Sequence, residues 1–167
     1  VLLSGLSRDG GLYMPDTWPR FTYQDLKEMK LLDYPSLATK IIAPFVGKDL
    51  KLKLNGISKL VYSKFDHKEK APLKNIEDNF YIMELIHGPT FAFKDYAMQY
   101  LSELFDYALS KRNKRILILG ATSGDTGSAA LEAFKSKKNS DILILFPYKR
   151  VSKVQQKQIK CQKLLMY

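Results

Sequence analysis

The sequence predicts an α/β protein, in which a small and mostly helical amino-terminal lobe precedes part of a parallel-sheet, three-layer αβα domain. Two observations lead to this prediction. Apolar residues recur at helical spacing between residues 22 and 65. Later in the chain, two short apolar runs, residues 116–119 and 142–145, flank a Gly-rich turn and a helical pattern. A strand–helix–strand unit of this kind crosses over with a right hand and forms parallel strands.

The predicted lobe covers residues 1–70 and contains three helices, over residues 22–31, 33–45 and 55–65. Thr22 is a suitable cap for the first of them, because its hydroxyl can accept a hydrogen bond from the first turn. The residues expected to face inward lie three or four positions apart within each helix. They are Leu26, Met29, Leu37, Ile41, Phe45, Ile57, Leu60, Val61 and Phe65.

A polar segment that closes on Pro72 separates this lobe from the second domain, residues 71–167. Residues 80–85 are predicted to form a strand, and a helix is predicted to begin at Asp95. Because the two apolar runs are uninterrupted, we expect their strands to be buried on both faces of the sheet. The inward stripe expected on the helix comprises Ala97, Tyr100, Leu101, Leu104, Phe105 and Ala108.

The composition excludes several classes of protein. With 46% hydrophobic and 12% aromatic residues, the 167-residue chain is not of the disordered class, and no apolar run approaches the length of a membrane span. The chain opens on Val1 rather than Met, so we expect an internal part of a longer protein or a processed product. A single cysteine, Cys161, excludes an internal disulfide, cannot build a metal site alone and fits the cytoplasm.

The formal net charge of +10 raises the question of an anionic partner. A basic nucleic-acid-binding module would concentrate its lysines on one face, whereas here they are dispersed along the chain. We therefore expect mainly solvated surface charge, with no nucleic-acid partner. Steering of anionic small molecules is the remaining alternative.

The first loop that carries chemical information is HGPTFAFKD, residues 87–95, which turns sharply after a strand and presents Lys94 at the start of a helix. The positive end of the helix dipole disfavours a second positive charge there. Burial beside Phe91 and Phe93 would act in the same direction. Both effects favour the neutral amine that a Schiff base with an aldehyde requires. The alternative is an exposed lysine that merely opens an amphipathic helix.

The second such loop is GATSGDTGS, residues 120–128, between an apolar run and a helix. Loops at the carboxyl ends of parallel strands often bind ligands, and backbone N–H groups and hydroxyls there suit an anion. The glycine spacing, G-x-x-x-G-x-x-G, does not fit the dinucleotide fingerprint, which disfavours a Rossmann dehydrogenase. No Gly-Lys-Ser/Thr ending follows, which excludes a nucleotide-triphosphate loop. The alternative is a simple capping turn with Asp125 or Thr126 at the helix start.

Together the two loops resemble the threonine synthase family of fold type II pyridoxal-phosphate enzymes. ELIHGPTFAFKD at residues 84–95 is similar to the cofactor-lysine motif of that family, and ATSGDTG at residues 121–127 is similar to its second signature. GLSRDGGLYMP at residues 5–15 resembles its amino-terminal pattern, and Arg150-Val151-Ser152 with Val154-Gln155 resembles a later one. The resemblance spans residues 1 to about 160 and involves several separated motifs.

The resemblance implies a lyase of threonine biosynthesis that converts O-phospho-L-homoserine and water to L-threonine and phosphate. Lys94 would hold pyridoxal 5'-phosphate as an internal aldimine and then move protons at the substrate carbons. Asp125, where relatives often carry Asn, would also approach the cofactor ring. Arg150, Ser152 and Lys149 are candidates for the substrate phosphate, with a plain surface charge as the alternative for Arg150. The loop implied to bind the substrate carboxylate comprises Thr122, Ser123, Gly124, Asp125 and Thr126.

Three departures from the family pattern affect these expectations. Lys149 stands where the family usually has Gly, Lys153 stands where it commonly has Pro, and the likeness ends after Ile159. The glycine-rich loop that binds the cofactor phosphate in the family lies beyond that point. We therefore expect weak cofactor binding and no activity from these 167 residues alone, as a segment of a working enzyme or as a truncated remnant. An unpaired sheet edge and an uncovered apolar face are expected to favour aggregation.

Overall fold

The computed structural model describes residues 2–122, 124–147 and 150–161, with side chains described as far as Ile159 in the last range. Ser123 and Lys149, both predicted to bind substrate, therefore lie outside the described residues. The chain divides into two compact units, Val1–Ser63 and Lys64–Tyr167.

The regular structure of the first unit is helical, as predicted for the lobe. Thr22 caps its first helix through a capping box with Asp25, whose carboxylate accepts the Thr22 N–H at 2.7 Å. Asp33 caps the second helix by accepting the Ser36 N–H at 2.9 Å. The helices are α1 (Tyr23–Met29), α2 (Tyr34–Ile42), α3 (Lys48–Lys51) and α4 (Leu54–Tyr62), with a short 3-10 turn at Ala43–Phe45.

The predicted inward positions of this unit are only partly correct. Helix α2 meets α4 through the Thr39 hydroxyl, which donates to the Ser58 hydroxyl at 2.8 Å, and through the Tyr34 and Tyr62 rings. Because the helices are short, only one side of each is covered within this unit. Residues predicted to be inward but exposed here are Leu26, Ile41, Phe45 and Leu60. Buried residues of α1 and α4 are Met29, Leu54, Ser58, Val61 and Tyr62.

The polar segment predicted to be a junction packs within the second unit. The Phe65 ring lies 4.6 Å from the Tyr96 ring, and the Tyr96 hydroxyl donates to the Lys70 carbonyl. The Asp66 N–H donates to the His87 carbonyl at 3.0 Å. These contacts explain why the spatial division falls after residue 63, whereas the sequence patterns put the end of the lobe at residue 70.

The second unit contains a hairpin and a parallel strand pair. Its elements are β1 (Leu73–Glu77), β2 (Phe80–Met83), α5 (Asp95–Ser110), β3 (Ile116–Ala121), α6 (Asp125–Phe134), β4 (Ser140–Leu145) and α7 (Lys153–Cys161). Strands β1 and β2 pair antiparallel, and β1 was not predicted. Strands β3 and β4 pair in parallel, from Ile116 opposite Ser140 to Ala121 opposite Leu145. This pairing confirms the predicted strand–helix–strand unit and the α/β class.

Helices α5, α6 and α7 build the core of this unit against one face of the β3–β4 sheet. The buried core comprises Ala130, Leu131, Ala133, Phe134, Ile142 and Ile159, with Met98, Phe105, Ile118, Ile144 and Phe146 packed against it. The predicted burial of both strands on both faces is wrong for the described residues, because Leu117 and Leu119 are each 64% exposed. Leu143 and Leu145 are also exposed. Helices α5, α6 and α7 contribute to the core on the opposite face, which leaves this row of leucines uncovered by the described helices of this unit.

The predicted stripe of α5 also holds only in part. Tyr100 is buried, but Ala97 is exposed, and the polar residues Gln99 and Ser102 are buried instead. Hydrogen bonding offsets part of the cost of this polar burial, since Lys64 Nζ donates to Gln99 Oε1 at 2.8 Å and the Ser102 hydroxyl donates to the Gln99 carbonyl at 2.9 Å. Gln99 Nε2 has no hydrogen-bond partner among the described residues. Among the described residues, no helix has the length and apolar character needed to cross a membrane.

Candidate active site

Lys94 immediately precedes α5, at the end of a loop that leaves β2. A hydrogen-bonded carboxylate closes this loop. Asp95 Oδ2 accepts the Thr90 N–H at 2.7 Å, and Asp95 Oδ1 accepts the Thr90 hydroxyl at 2.8 Å. The Asp95 side chain is fully buried, and Thr90 is only 8% exposed. The buried pair therefore fixes the backbone on either side of the turn that carries Lys94.

Gly88 makes room for this carboxylate. A Cβ atom added to Gly88 would lie 2.5 Å from both the Cβ and the Oδ2 atoms of Asp95, which is closer than any real contact. The Gly88 carbonyl also accepts the Phe91 N–H at 3.0 Å. The loop therefore has glycine at position 88 because a side chain there would overlap Asp95.

The backbone between Thr90 and Lys94 is strained. Phe91 has a φ of 60°, in the left-handed region that bulky residues rarely adopt. Lys94 Nζ lies 4.2 Å from the centroid of the Phe93 ring, at the distance of a cation–π contact. Phe91 is 66% and Phe93 58% exposed, so within this unit the two rings expected to bury Lys94 cover it only in part. The rings stand at the surface of this unit, and Lys94 itself is partly buried.

Burial raises the pKa of Asp95 above its ordinary value. The hydrogen bonds from Thr90 and the Ala92 N–H act in the opposite direction, and the nearby Glu132 adds to the rise. The carboxylate beside Lys94 is thus held in a place where its negative charge is disfavoured, in spite of its hydrogen bonds.

The second loop joins β3 to α6 and presents hydrogen-bond donors. The Thr122 N–H donates to the Leu145 carbonyl at 2.9 Å, which extends the parallel ladder by one bond, and Thr122 Oγ1 accepts the Gly124 N–H at 3.3 Å. The Gly124 carbonyl accepts the N–H groups of residues 127 and 128, at 3.0 and 3.2 Å. Residues 125 and 126 are the first two of α6, so their N–H groups have no intrahelical acceptor. Together with the positive end of the helix dipole, they favour an anion.

Lys94 and this second loop line one open pocket of about 210 Å³. Its described lining consists of Phe93, Lys94, Thr122, Gly124, Asp125, Thr126 and Gln155. The structure therefore brings the lysine of the first loop together with the hydroxyls, amides and carboxylate of the second. An amine beside a set of anion-binding groups suits a site that forms a covalent bond to an aldehyde and binds an acid.

Arg150 and Ser152 are not among the described lining residues of this pocket. Arg150 is exposed, and its N–H donates to the Pro147 carbonyl at 3.2 Å. The Ser152 hydroxyl accepts the Gln155 N–H at 3.2 Å and donates to Gln155 Oε1 at 3.1 Å. The Ser152 N–H donates to the same oxygen at 3.3 Å, so Ser152 forms a capping box at the start of α7.

Gln155 and Asp95 stand within the motifs that carry the resemblance, but the sequence analysis assigned neither of them a role in holding this site. Gln155 lines the pocket, and its Nε2 donates to Asp125 Oδ1. The spacing S-x-x-Q at residues 152–155 is a capping-box signal that locates Gln155 at a helix start, although it carries no information about its second partner. For Asp95 the local signal, an acidic residue in the first turn of a helix, indicates only a favourable dipole interaction.

Comparison with known proteins shows which proteins the chain is similar to. The first 62 residues match the family model described as threonine synthase N terminus. The structure also matches the crystal structure of PLP-bound threonine synthase from Brucella melitensis, with a TM-score of 0.89 and 46% identity, over 94% of this chain and 34% of that chain. The chain is similar to the amino-terminal third of threonine synthases.

Curated members of the threonine synthase family show the same extent of likeness. Threonine synthase of Pseudomonas aeruginosa is 46% identical over 160 residues, which cover 95% of this chain and 34% of that protein. Threonine synthase-like 2 of Rattus norvegicus is 40% identical over 161 residues, which cover 95% of this chain and 33% of that protein. The resemblance stated from the motifs is thereby confirmed, and the chain spans about a third of the length of the curated relatives it matches.

Proposed function

We propose that this chain provides the reactive lysine and the carboxylate-binding loop of a threonine synthase, a lyase that converts O-phospho-L-homoserine and water to L-threonine and phosphate. The observation that carries the proposal is the single pocket lined by Lys94 and by Thr122, Gly124, Asp125 and Thr126. The likeness to known structures supports it, because the structural neighbour from Brucella melitensis is a threonine synthase bound to PLP.

The residues of the pocket fit the reactive end of pyridoxal 5'-phosphate. Lys94, which carries a primary amine, lines the same pocket as Thr122, Thr126 and the start of α6. Lys94 would hold the cofactor through its Nζ atom, and Asp125 is the other described residue that we assign to it. When bound, the cofactor supplies an electron sink for negative charge at the substrate carbons.

Lys94 and the α6 loop then have separate roles. Lys94 takes protons from the substrate and returns them through its Nζ atom. In the structure this atom lies 4.2 Å from the centroid of the Phe93 ring. The N–H groups and hydroxyls of the loop bind and orient the substrate carboxylate, with Ser123 included in this assignment. For the substrate phosphate we propose Arg150 and Ser152, which precede α7.

The remaining parts of the proposal concern the chain as a whole. We assign residues 1–70 to a family-specific lobe and residues 71–167 to an incomplete cofactor domain of an enzyme of threonine biosynthesis in the cytoplasm. These 167 residues alone are proposed to be inactive, since they span about a third of the curated relatives. The alternative within this family is a truncated remnant without activity in any context.

Two lysines flank α5, and replacing each in turn tests this function in the complete protein that carries the segment. Lys94 precedes α5 and Lys111 follows it, and each lies over the ring of a neighbouring aromatic residue. Lys94→Ala should abolish phosphate release from O-phospho-L-homoserine, whereas Lys111→Ala should leave it nearly unchanged. Equal activity of the two variants would contradict the assignment of Lys94.

The same assay applied to residues 1–167 alone tests the proposed inactivity. No phosphate release above the level of the Lys94→Ala variant is expected from the isolated chain. Turnover that Lys94→Ala abolishes would show that the chain is a sufficient enzyme. Absence of turnover in the complete protein would favour the inactive remnant.

A further inference from the structure

We propose that helix α7 is a positioning clamp for the site, in which Gln155 holds the Asp125 loop and Gln158 holds the Lys94 loop. Neither glutamine is assigned a role by the motifs that identify the family. The effect of the clamp on substrate binding rests on the proposed function, whereas its effect on the two loops does not.

The orientation of the Gln155 amide follows from its partners. Gln155 Oε1 lies 3.3 Å from the Ser152 backbone nitrogen, which can only donate, so the oxygen of the amide must face Ser152. The Nε2 group is consequently turned to Asp125 Oδ1, which can only accept when ionised. The amide is thus fixed between a helix cap and the carboxylate that lines the pocket, and it cannot flip without losing bonds at both ends.

Gly124 lets this amide lie directly against the loop. A Cβ atom at Gly124 would meet Gln155 Nε2 at 2.6 Å and its Cδ and Oε1 atoms at 2.8 Å. Because these are the end atoms of a flexible side chain, a methyl group there would displace the amide and break its bond to Asp125. Gly124 and Gln155 are therefore complementary parts of one contact.

Gln158 makes the corresponding contact with the other loop. Its Nε2 donates to the Thr90 carbonyl at 3.3 Å. Thr90 is the residue whose N–H and hydroxyl hold the Asp95 carboxylate beside Lys94. Helix α7 thus forms hydrogen bonds to both loops of the pocket. The two loops themselves lead into different helices, α5 and α6.

Helix α7 is anchored firmly enough to serve this purpose. Gln155, Gln158 and Ile159 lie at positions i, i+3 and i+4, which share one face of a helix. Ile159 is 7% exposed and belongs to the core cluster with α6 and β4, and Val151, just before the helix, is 8% exposed. The clamp therefore sets both loops relative to the core as well as to each other. Gln156, on another face of α7, provides a matched control.

Amide hydrogen exchange in the complete protein tests the clamp without any need for turnover. Gln155→Ala should speed exchange in peptides that cover residues 122–127, and Gln158→Ala should do so in peptides that cover residues 88–94. Each increase should be roughly threefold to tenfold, as expected when one hydrogen bond that restrains a loop is lost. Gln156→Ala should leave both segments unchanged. Uniform exchange in all three variants, or an equal loosening throughout the second unit, would overturn the clamp.

A double-mutant cycle then separates positioning from general structure. Gln155→Ala should raise KM for O-phospho-L-homoserine by about tenfold or more, since it removes a hydrogen bond to a charged group, and should change kcat little. Gln155→Ala added to Asp125→Ala should have no further effect, because Gln155 acts through Asp125. Gly124→Ala should likewise raise KM, and its effect should not add to that of Gln155→Ala. Additive effects, or a KM equal to that of Gln156→Ala, would overturn the positioning role.

The two failures are distinguishable. A complete protein that releases no phosphate contradicts the proposed function, while the exchange measurement still decides whether α7 restrains the loops. A complete protein that is active but shows no local change in exchange contradicts the clamp alone.

Discussion

Asp95 and Thr90 form a buried pair that closes the loop carrying Lys94, through hydrogen bonds of 2.7 Å from the Thr90 N–H and 2.8 Å from its hydroxyl. Both residues are nearly inaccessible to solvent, although one of them is ionisable. The shape of the turn that precedes Lys94 therefore depends on Asp95, the residue that follows it. Four predictions follow from this loop and from the sheet beside it.

Thr90→Val should weaken the loop, because it keeps the shape of the side chain and removes the donor to Asp95 Oδ1. The loss of a hydrogen bond to a charged, buried group predicts a decrease of about 2 kcal/mol in the free energy of unfolding. Thr90→Ser retains the hydroxyl and should cost less than about 1 kcal/mol, the value of one buried methyl group. Urea unfolding of the two variants measures the difference. Equal costs would show that the hydroxyl contributes no hydrogen-bond energy.

Asp95→Asn should change how stability depends on pH. The folded-state pKa of Asp95 is raised above its ordinary value near 3.8, so the folded protein retains a proton that the unfolded chain has released. The contribution of this group to stability is therefore greatest below the unfolded pKa and is lost as pH rises through the folded pKa. Asn does not titrate, yet its amide can still accept the Thr90 N–H and donate to the Thr90 hydroxyl.

The free energy of unfolding of the wild type, relative to that of Asp95→Asn, should accordingly fall as pH rises from about 4 toward about 7. Denaturant unfolding at a series of pH values in this window provides the measurement. A difference that rises with pH would mean that the hydrogen bonds from Thr90 outweigh burial, and that the pKa of Asp95 is lowered.

Gly88→Ala should destabilise the protein because its methyl group would overlap Asp95. Overpacking of this kind predicts a loss of about 1–3 kcal/mol in the free energy of unfolding. Gly56→Ala is the matched control, since Gly56 lies inside α4 with open space around it. That change should stabilise the protein by about 0.5–1 kcal/mol through helix propensity. Thermal unfolding would show opposite signs for the two variants, and a neutral Gly88→Ala would disprove the close packing.

Ile142→Thr and Leu143→Thr should differ sharply, although the two residues are neighbours in β4. Ile142 is 6% exposed within the core and Leu143 is 50% exposed on the other face of the sheet. Ile142→Thr should cost about 2 kcal/mol or more by removing buried apolar surface and burying a hydroxyl. In the isolated chain, Leu143→Thr should cost less than about 1 kcal/mol and reduce aggregation. Unfolding and light scattering of the isolated chain check both, and similar costs would contradict the one-sided core.

The elements that the sequence predicted well are those specified by local patterns. Thr22 was recognisable as a helix cap because a capping hydrogen bond spans only three residues. The parallel pair of β3 and β4 was predictable because two apolar runs on either side of a helix have few other arrangements. Strand β1 was missed because LKNIE is exposed along its length and lacks an apolar alternation.

Errors in predicted burial have a common cause. Periodicity shows which residues share a face, but the presence of a neighbour on that face depends on tertiary packing. Leu119 and Ile118 are equally apolar in the sequence, yet Leu119 is 64% exposed while Ile118 packs against the core. In α5 the same limitation left Gln99 out of the predicted inward stripe, although it is buried and Lys64 bonds to it in the structure.

For the site, the sequence supplied the groups that carry chemistry and missed those that hold them. Lys94 and the loop at residues 122–126 were singled out by their motifs, and Lys94 lines one pocket with the described residues of that loop. Gln155 and Gln158 act on partners 30 and 68 residues away. No local pattern encodes such contacts, so they become visible only when α7 is in place.

Covalent labelling of the complete protein tests the central claim, that Lys94 carries the cofactor, most directly. The protein is incubated with pyridoxal phosphate and reduced with borohydride, and the modified peptides are mapped by mass spectrometry. We expect a single dominant label on Lys94, its disappearance in Lys94→Ala and its persistence in Lys111→Ala. A dominant label on another lysine, or labels scattered over the surface lysines with Lys94 no more reactive than the rest, would contradict it.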